Sequence, residues 1–212
     1  MSTGPTIFIV DDDPAARASA AALVTSIGVT TESFSSAEEF LEAYDPSRPG
    51  CLVTDMRMLG MSGVELLEKL ASQGCSIPVI VITAYANVPI TVRAMQAGAV
   101  TLLEKPCVEE QLCDNIRKAL KLDLENREKE AKRQEILKRI ENLSPSEQQV
   151  MDLMVTGNAN KVIACKLDVS VRTVEMRRHN IFKKMQAGSL AALVQLAMEV
   201  HGEEKALHAN ES

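Results

Sequence analysis

Short apolar runs separated by amphipathic stretches of helix length dominate the first 120 residues. IFIV at 7–10, VTTESF at 29–34, CLVT at 51–54, VIVIT at 79–83 and VTLLE at 100–104 stand between polar or turn-forming segments. Brief runs rich in β-branched residues, with helices between them, predict five strands in a parallel sheet wound on both faces. The punctuation agrees. Asp13-Pro14 opens a helix that Gly28 ends, Ser36 with Glu39 and Ser62 with Glu65 read as capping boxes, and Gly98 closes a helix that begins near Pro89.

The pattern then changes. From about 108 to 142 the chain has no Gly or Pro, and KLDLENREKEAKRQEILKRIENL at 121–143 predicts a long charged helix. Its apolar residues, Leu120, Leu124, Ala131, Ile136, Leu137, Ile140 and Leu143, leave a thin seam that suits either a partner helix or a solvated spacer. Ser144-Pro145-Ser146-Glu147 opens a new helix with cap, N1 proline and N3 acid together. Everything from there to about Val200 reads helical, and GEEKALHANES reads as a frayed tail. The expected organisation is a sheet domain over 1–120, a helical linker over 121–142, an all-helical domain over 143–201 and a flexible tail over 202–212.

Composition narrows the class. A chain of 212 residues, 46% hydrophobic, forms one or two packed domains. Its net charge of −6 is unevenly spread, with 15 acids and 8 bases over 1–120 but equal numbers over 144–212, so any nucleic-acid contact rests on a local basic surface. Six aromatics and no Trp argue against stacking-based binding of single strands. Cys51, Cys75, Cys107, Cys113 and Cys165 are scattered without metal-site spacing and read as reduced thiols. The first ten residues lack a secretion-signal pattern and no run approaches a membrane span, so a soluble cytoplasmic protein is expected.

In a doubly wound sheet, ligands bind at the carboxyl ends of the strands where strand order reverses. Asp11 and Asp12 follow the first predicted strand, Asp55 ends the third, Thr83 ends the fourth and Lys105 follows the fifth. Three carboxylates gathered there repel one another unless a hard cation sits between them, and all-oxygen ligation suits Mg²⁺. Such a site would draw a phosphoryl group onto an Asp nucleophile, with Thr83 and Lys105 holding its oxygens. Asp13, just before Pro14, reads as a helix cap rather than a ligand. Thr83 and Lys105 are uninformative singly; their joint placement carries the weight. A cis Lys105-Pro106 bond would aim the lysine inward.

The runs IVDDDPAAR, LVTDMRMLGMSGVELL, PVIVITAYANVPITVRAMQAGAV and LEKP resemble the receiver domain of two-component response regulators, most closely the FixJ-like subfamily, over residues 5–120. The resemblance implies a flavodoxin-like fold, Asp55 as phosphoacceptor, and Mg²⁺ held by Asp11, Asp12, Asp55 and the backbone carbonyl of Arg57. It implies that Thr83 and Lys105 read the phosphoryl group and that a sensor histidine kinase supplies it. Two positions depart from the family. Leu59 stands where a proline is usual, and Leu102 stands at the usual aromatic switch position, which touches the coupling of phosphorylation to the outer face.

In the C-terminal part, helical segments at 146–155, 160–167 and 171–185 include two joined by the short turn Asp168-Val169-Ser170, a helix-turn-helix pattern. Between Gly157 and Lys184 lie seven bases and two acids. On a helical wheel Val174, Ile181 and Met185 face the core with Val171 and Phe182 beside them. Arg172, Met176, His179 and Lys183 line the opposite face as candidates for the major groove, and Thr173, Arg177, Arg178 and Asn180 flank it near phosphates. Glu175 by itself reads as a solvated acid or as an acceptor for cytosine.

The stretch from Leu143 to Ala197 resembles the LuxR-type DNA-binding domain, with Arg172-Thr173-Val174-Glu175 similar to its recognition-helix opening. The resemblance moves Glu175 toward DNA contact and implies pairing through the final helix, Ser189 to Val200. The expected protein is thus a regulator, not an enzyme, that accepts a phosphoryl group on Asp55 and binds double-stranded DNA as a homodimer. Two alternatives stand beside it. One is a DNA-binding regulator independent of phosphorylation. The other is a phosphohydrolase of the haloacid-dehalogenase type using Asp11 and Asp13, although Ala15 and the short chain fit that pattern poorly.

Overall fold

The computed structural model describes residues 4–84 and 87–209, from residue 201 onward as backbone only. It divides into two compact units between Arg127 and Glu128.

In the first unit five strands form one parallel sheet: β1 (Thr6–Val10), β2 (Thr30–Phe34), β3 (Gly50–Asp55), β4 (Val79–Thr83) and β5 (Thr101–Glu104), in the order β2-β1-β3-β4-β5. Helices α1 (Pro14–Ser26), α2 (Ala37–Ala43), α3 (Gly63–Ser72), α4 (Val88–Gln96) and the start of α5 (Glu109–Glu141) cover its faces. Alternation along each strand sends neighbouring side chains to opposite faces. Phe8, Val10, Leu52, Val79 and Val81 therefore meet Phe40, Leu66 and Leu70 on one side. Ile7, Ile9, Val53, Ile80 and Ile82 meet Val24, Leu112 and Ile116 on the other.

The caps follow the local sequence with one exception. Asp13 accepts from the Ala15 amide and starts α1, as expected, and Ser62 with Glu65 forms a reciprocal box at α3. At α2 the box is one-sided. Ser36 accepts from Glu39 N–H, but the Glu39 carboxylate turns to Ser35, whose N–H and hydroxyl both donate at 2.7 Å. Two donors on one residue outcompete the single amide that the box requires.

The expected 121–142 spacer is not a separate element. Helix α5 runs unbroken through it, and its residues up to Arg127 belong to the first unit. Buried Asp123 accepts from the Gly50 amide and from Arg127 Nε, both at 2.9 Å. The Arg127 guanidinium also donates to the carbonyls of Pro46, Ser47 and Arg48. These polar ties replace the apolar seam at the point where it lapses.

The second unit packs the end of α5 with α6 (Pro145–Val155), α7 (Asn160–Lys166), α8 (Val171–Met185) and α9 (Leu190–Ala209). Ile136 is buried with Val150, Met154, Ile163, Val174, Ile181 and Leu193, and Leu137 and Ile140 pack against them. The seam from Ile136 onward is thus part of this unit's own core rather than a spacer. The backbone of α9 continues to Ala209, so the expected tail at 202–212 is helical over most of its length, while 210–212 lie outside the described residues.

Candidate functional site: an acidic strand-end cleft and an exposed helix face

Sheet register assembles the first site. Val10 pairs with Thr54, so the next residues, Asp11 and Asp55, leave adjacent strands side by side at the order reversal between β1 and β3. Asp55 pairs with Ile82, which places Thr83 one step on, and Thr83 pairs with Glu104, one step before Lys105. The Lys105-Pro106 bond is cis, and Lys105 Nζ lies 2.9 Å from Asp11 Oδ2 and 2.5 Å from Asp55 Oδ1. A single ammonium therefore joins the two carboxylates. Burial works against its charge, but the hydrogen bonds it donates to Asp55 and Asp11 outweigh that and hold the Lys105 pKa above the ordinary lysine value. The ammonium is charged throughout the physiological range.

The other groups are held in place. Asp55 Oδ2 accepts from the Arg57 amide at 2.6 Å, and Thr83 is 1% exposed. Asp11 Oδ1 accepts from Asp13 N–H, while the Asp11 carbonyl accepts from Arg17 at 2.5 Å. Asp12 turns to the β3–α3 loop, where its Oδ2 accepts from the Leu59 amide at 2.9 Å. Leu102 is partly buried and packs against the core on the α2–α4 side.

The expected trio of carboxylates is not gathered around one point. Among the described residues no three His, Cys, Asp or Glu side chains converge as a metal ion needs; Lys105 bridges Asp11 and Asp55, and Asp12 accepts from the Leu59 amide. The donor set nevertheless fits a hard cation. It is all oxygen, from Asp11, Asp12, Asp55 and the Arg57 carbonyl, at one end of two adjacent strands. Asp13 commits its carboxylate to capping α1, which leaves the Asp11–Asp13 phosphohydrolase reading without its second acid.

The second site follows helical periodicity. Val174, Ile181 and Met185 are buried as expected, whereas Val171 is 38% exposed, since it begins α8 and projects past the core. Arg172, Glu175, Met176, His179 and Lys183 are exposed, with Met176 at 59%. Thr173, Arg177, Arg178 and Asn180 are half-buried beside them. Thr173 N–H donates to the Ser170 cap and its hydroxyl lies 2.8 Å from the Ser170 hydroxyl, while Arg178 rests over the Phe182 ring.

Not all of the local basic charge is available outward. Lys184 Nζ is 2.7 Å from buried Glu147 and also donates to the Asn142 carbonyl, and Lys166 donates to Asn158. The Lys184 hydrogen bond, aided by the Ser144 amide and hydroxyl, depresses the Glu147 pKa to about 2. Arg17, Arg127 and the Glu147–Lys184 pair escaped the sequence reading. The pair spans 37 positions, and no local signal announces it.

Comparison with known proteins matches a family to each unit. Residues 7–117 match the response regulator receiver domain, and residues 141–197 match the bacterial regulatory proteins of the luxR family. The chain belongs to the response regulators. It is 41% identical over 198 residues to the transcriptional regulatory protein FixJ of Bradyrhizobium diazoefficiens, covering 93% of this chain and 97% of that one. It is 42% identical to the response regulator protein TodT of Pseudomonas putida, covering 90% and 84%. The structure of the response regulator StyR matches with a TM-score of 0.77 at 43% identity, over 92% of this chain and 98% of that one. This response regulator is a phosphorylation-controlled transcriptional regulator with a receiver and a LuxR-type DNA-binding domain. Among the described residues no helix is long and apolar enough to cross a membrane.

Proposed function

We propose that Asp55 is the phosphoacceptor and that α8 enters the major groove of double-stranded DNA. The observation that carries the first part is the single Lys105 ammonium in contact with both Asp11 and Asp55. It leaves an Asp55 carboxylate fixed by the Arg57 amide, beside a cation that can pair with an incoming phosphoryl oxygen. An Asp55 oxygen attacks the phosphorus of a phosphohistidine on a sensor kinase. The P–O bond forms as the P–N bond breaks, and the imidazole leaves with the electron pair. Lys105 then pairs with a phosphoryl oxygen and the Thr83 hydroxyl donates to another. Asp11, Asp12, Asp55 and the Arg57 carbonyl would hold Mg²⁺, which when bound offsets the charge of the transferred group.

For the DNA part, the exposed row Arg172, Met176, His179 and Lys183 supports groove contact. Arg172 and His179 suit base edges, Met176 a thymine methyl, and Lys183 a phosphate. Glu175 lies exposed near the start of the same helix, where it can accept from cytosine, and Thr173 and Arg178 flank the row toward the backbone. Pairing of two copies on DNA is supported by α9, where Leu190, Ala191, Val194 and Met198 form an apolar strip. A cytoplasmic location follows from these partners. Incubation of the full chain with acetyl phosphate and Mg²⁺, followed by peptide mass spectrometry, tests the acceptor. An adduct on Asp55 supports the reading, and an adduct elsewhere or none refutes it.

A further inference from the structure

One contact in the cleft has no part in the phosphoryl chemistry above. The backbone N–H of Leu59 donates to Asp12 Oδ2 at 2.9 Å, across 47 positions of sequence. Leu59 is 84% exposed, so its backbone donor is what this residue contributes to the loop. A carboxylate engaged in a charge-assisted hydrogen bond is both partly neutralised and fixed in direction. Here that direction is toward the β3–α3 loop, and among the described residues three ligating side chains do not converge.

The loop does not depend on Asp12 for its position. Glu38 Oε1 on α2 accepts from the Met61 amide at 3.1 Å, and Gly63 N–H donates to the Met56 carbonyl at 3.0 Å. Releasing Asp12 therefore costs one partly solvated hydrogen bond rather than a rearranged loop. We infer that the Leu59 amide is an internal competitor for Asp12, a latch that lowers the divalent-cation affinity of the acidic cleft. The latch and a cation compete for Asp12 Oδ2, and Glu38 keeps the loop in place in both states. The inference rests on the reading of Asp11, Asp12 and Asp55 as cation ligands.

Proline lacks an N–H, so Leu59→Pro removes the donor, whereas Leu59→Ala removes the side chain and keeps it. Isothermal titration of the full chain with MgCl₂ should show Leu59→Pro binding roughly three- to tenfold more tightly than wild type, the size of one solvated charge-assisted hydrogen bond. Leu59→Ala should match wild type. Because the proline variant can fail to fold, a second measurement stands on wild type alone. The Leu59 amide resonance should shift, and its hydrogen exchange should quicken, with the same Mg²⁺ midpoint as the calorimetric titration. Equal affinity in all three proteins, or a Leu59 amide unmoved at saturating Mg²⁺, overturns the latch alone. No Mg²⁺ binding in any of them overturns the latch together with the cation reading.

Discussion

The acidic cleft and the α8 face both concentrate charge, but they are built on opposite plans. The cleft draws Asp11, Asp55, Thr83 and Lys105 from four strand ends, and its central ion pair joins residues 94 positions apart. The α8 face draws Arg172, Met176, His179 and Lys183 from a single helix. Cleft charges answer one another, since one ammonium serves two carboxylates. The outward charges of α8 stand in solvent, and the basic residue with a buried partner, Lys184, lies at the helix end away from the proposed base contacts. A site whose members share partners responds to substitution as a unit, whereas separated contacts respond nearly additively.

The largest effect is therefore expected in the cleft. Asp55→Asn keeps the shape and removes the nucleophile, so phosphate incorporation from acetyl phosphate should vanish in an intact-mass measurement, while DNA binding by the unphosphorylated chain persists. An acyl phosphate persisting in Asp55→Asn would place the acceptor elsewhere. On α8, Arg172→Ala and His179→Ala should each cost about 1–3 kcal/mol of preference for the cognate site. Lys183→Ala should instead weaken binding evenly across sequences and lower the salt slope by about 1. Quantitative footprinting at several salt concentrations separates the two kinds of contact. If the double variant of Arg172 and His179 lost far more or far less than the sum, α8 would be a coupled site like the cleft.

A smaller effect tests the structural base of α8. Glu147→Gln removes the charge that the buried carboxylate presents to Lys184, and should destabilise the second unit by about 1–3 kcal/mol in urea unfolding. The pH dependence has a definite sign. Because the folded pKa is depressed from the ordinary 4.5 to about 2, the pair's contribution is fully present above about pH 4.5. It is lost as pH falls toward 2. Glu147→Gln should therefore flatten this limb of the stability profile.

The smallest effect is expected at Leu102. A leucine fills less volume than the aromatic usual in the family and has no ring to swing between two packed positions, so inactive and active arrangements should differ little in energy. Unphosphorylated wild type should already bind DNA appreciably, with phosphorylation adding only a few-fold. Leu102→Phe should widen that ratio in parallel DNA titrations. A wild-type protein activated hundreds-fold would refute this reading.

Much of this was legible in the residues alone. The period-two and period-3.6 patterns located the five strands and the long helices, because burying one face of an element leaves its repeat in the chain. The outward row of α8 was legible for the same reason, with Val171 misplaced only because it stands at the helix end. The linker was not legible, since its later apolar residues bury in the second unit and its earlier part is tied by Asp123 and Arg127 to the Gly50 amide and the Pro46 and Ser47 carbonyls, 73 or more positions away.

The sequence by itself determined which residues stand at the strand ends and which share a helix face, since both follow from local geometry and spacing. Tertiary structure alone decided where their charges go. Lys105 bridges Asp11 and Asp55, the Leu59 amide donates to Asp12, and Lys184 turns inward to Glu147. A hydrogen bond or ion pair depends on atoms meeting within about 3 Å, and no periodicity along a chain encodes which distant atoms the packed fold brings to that distance.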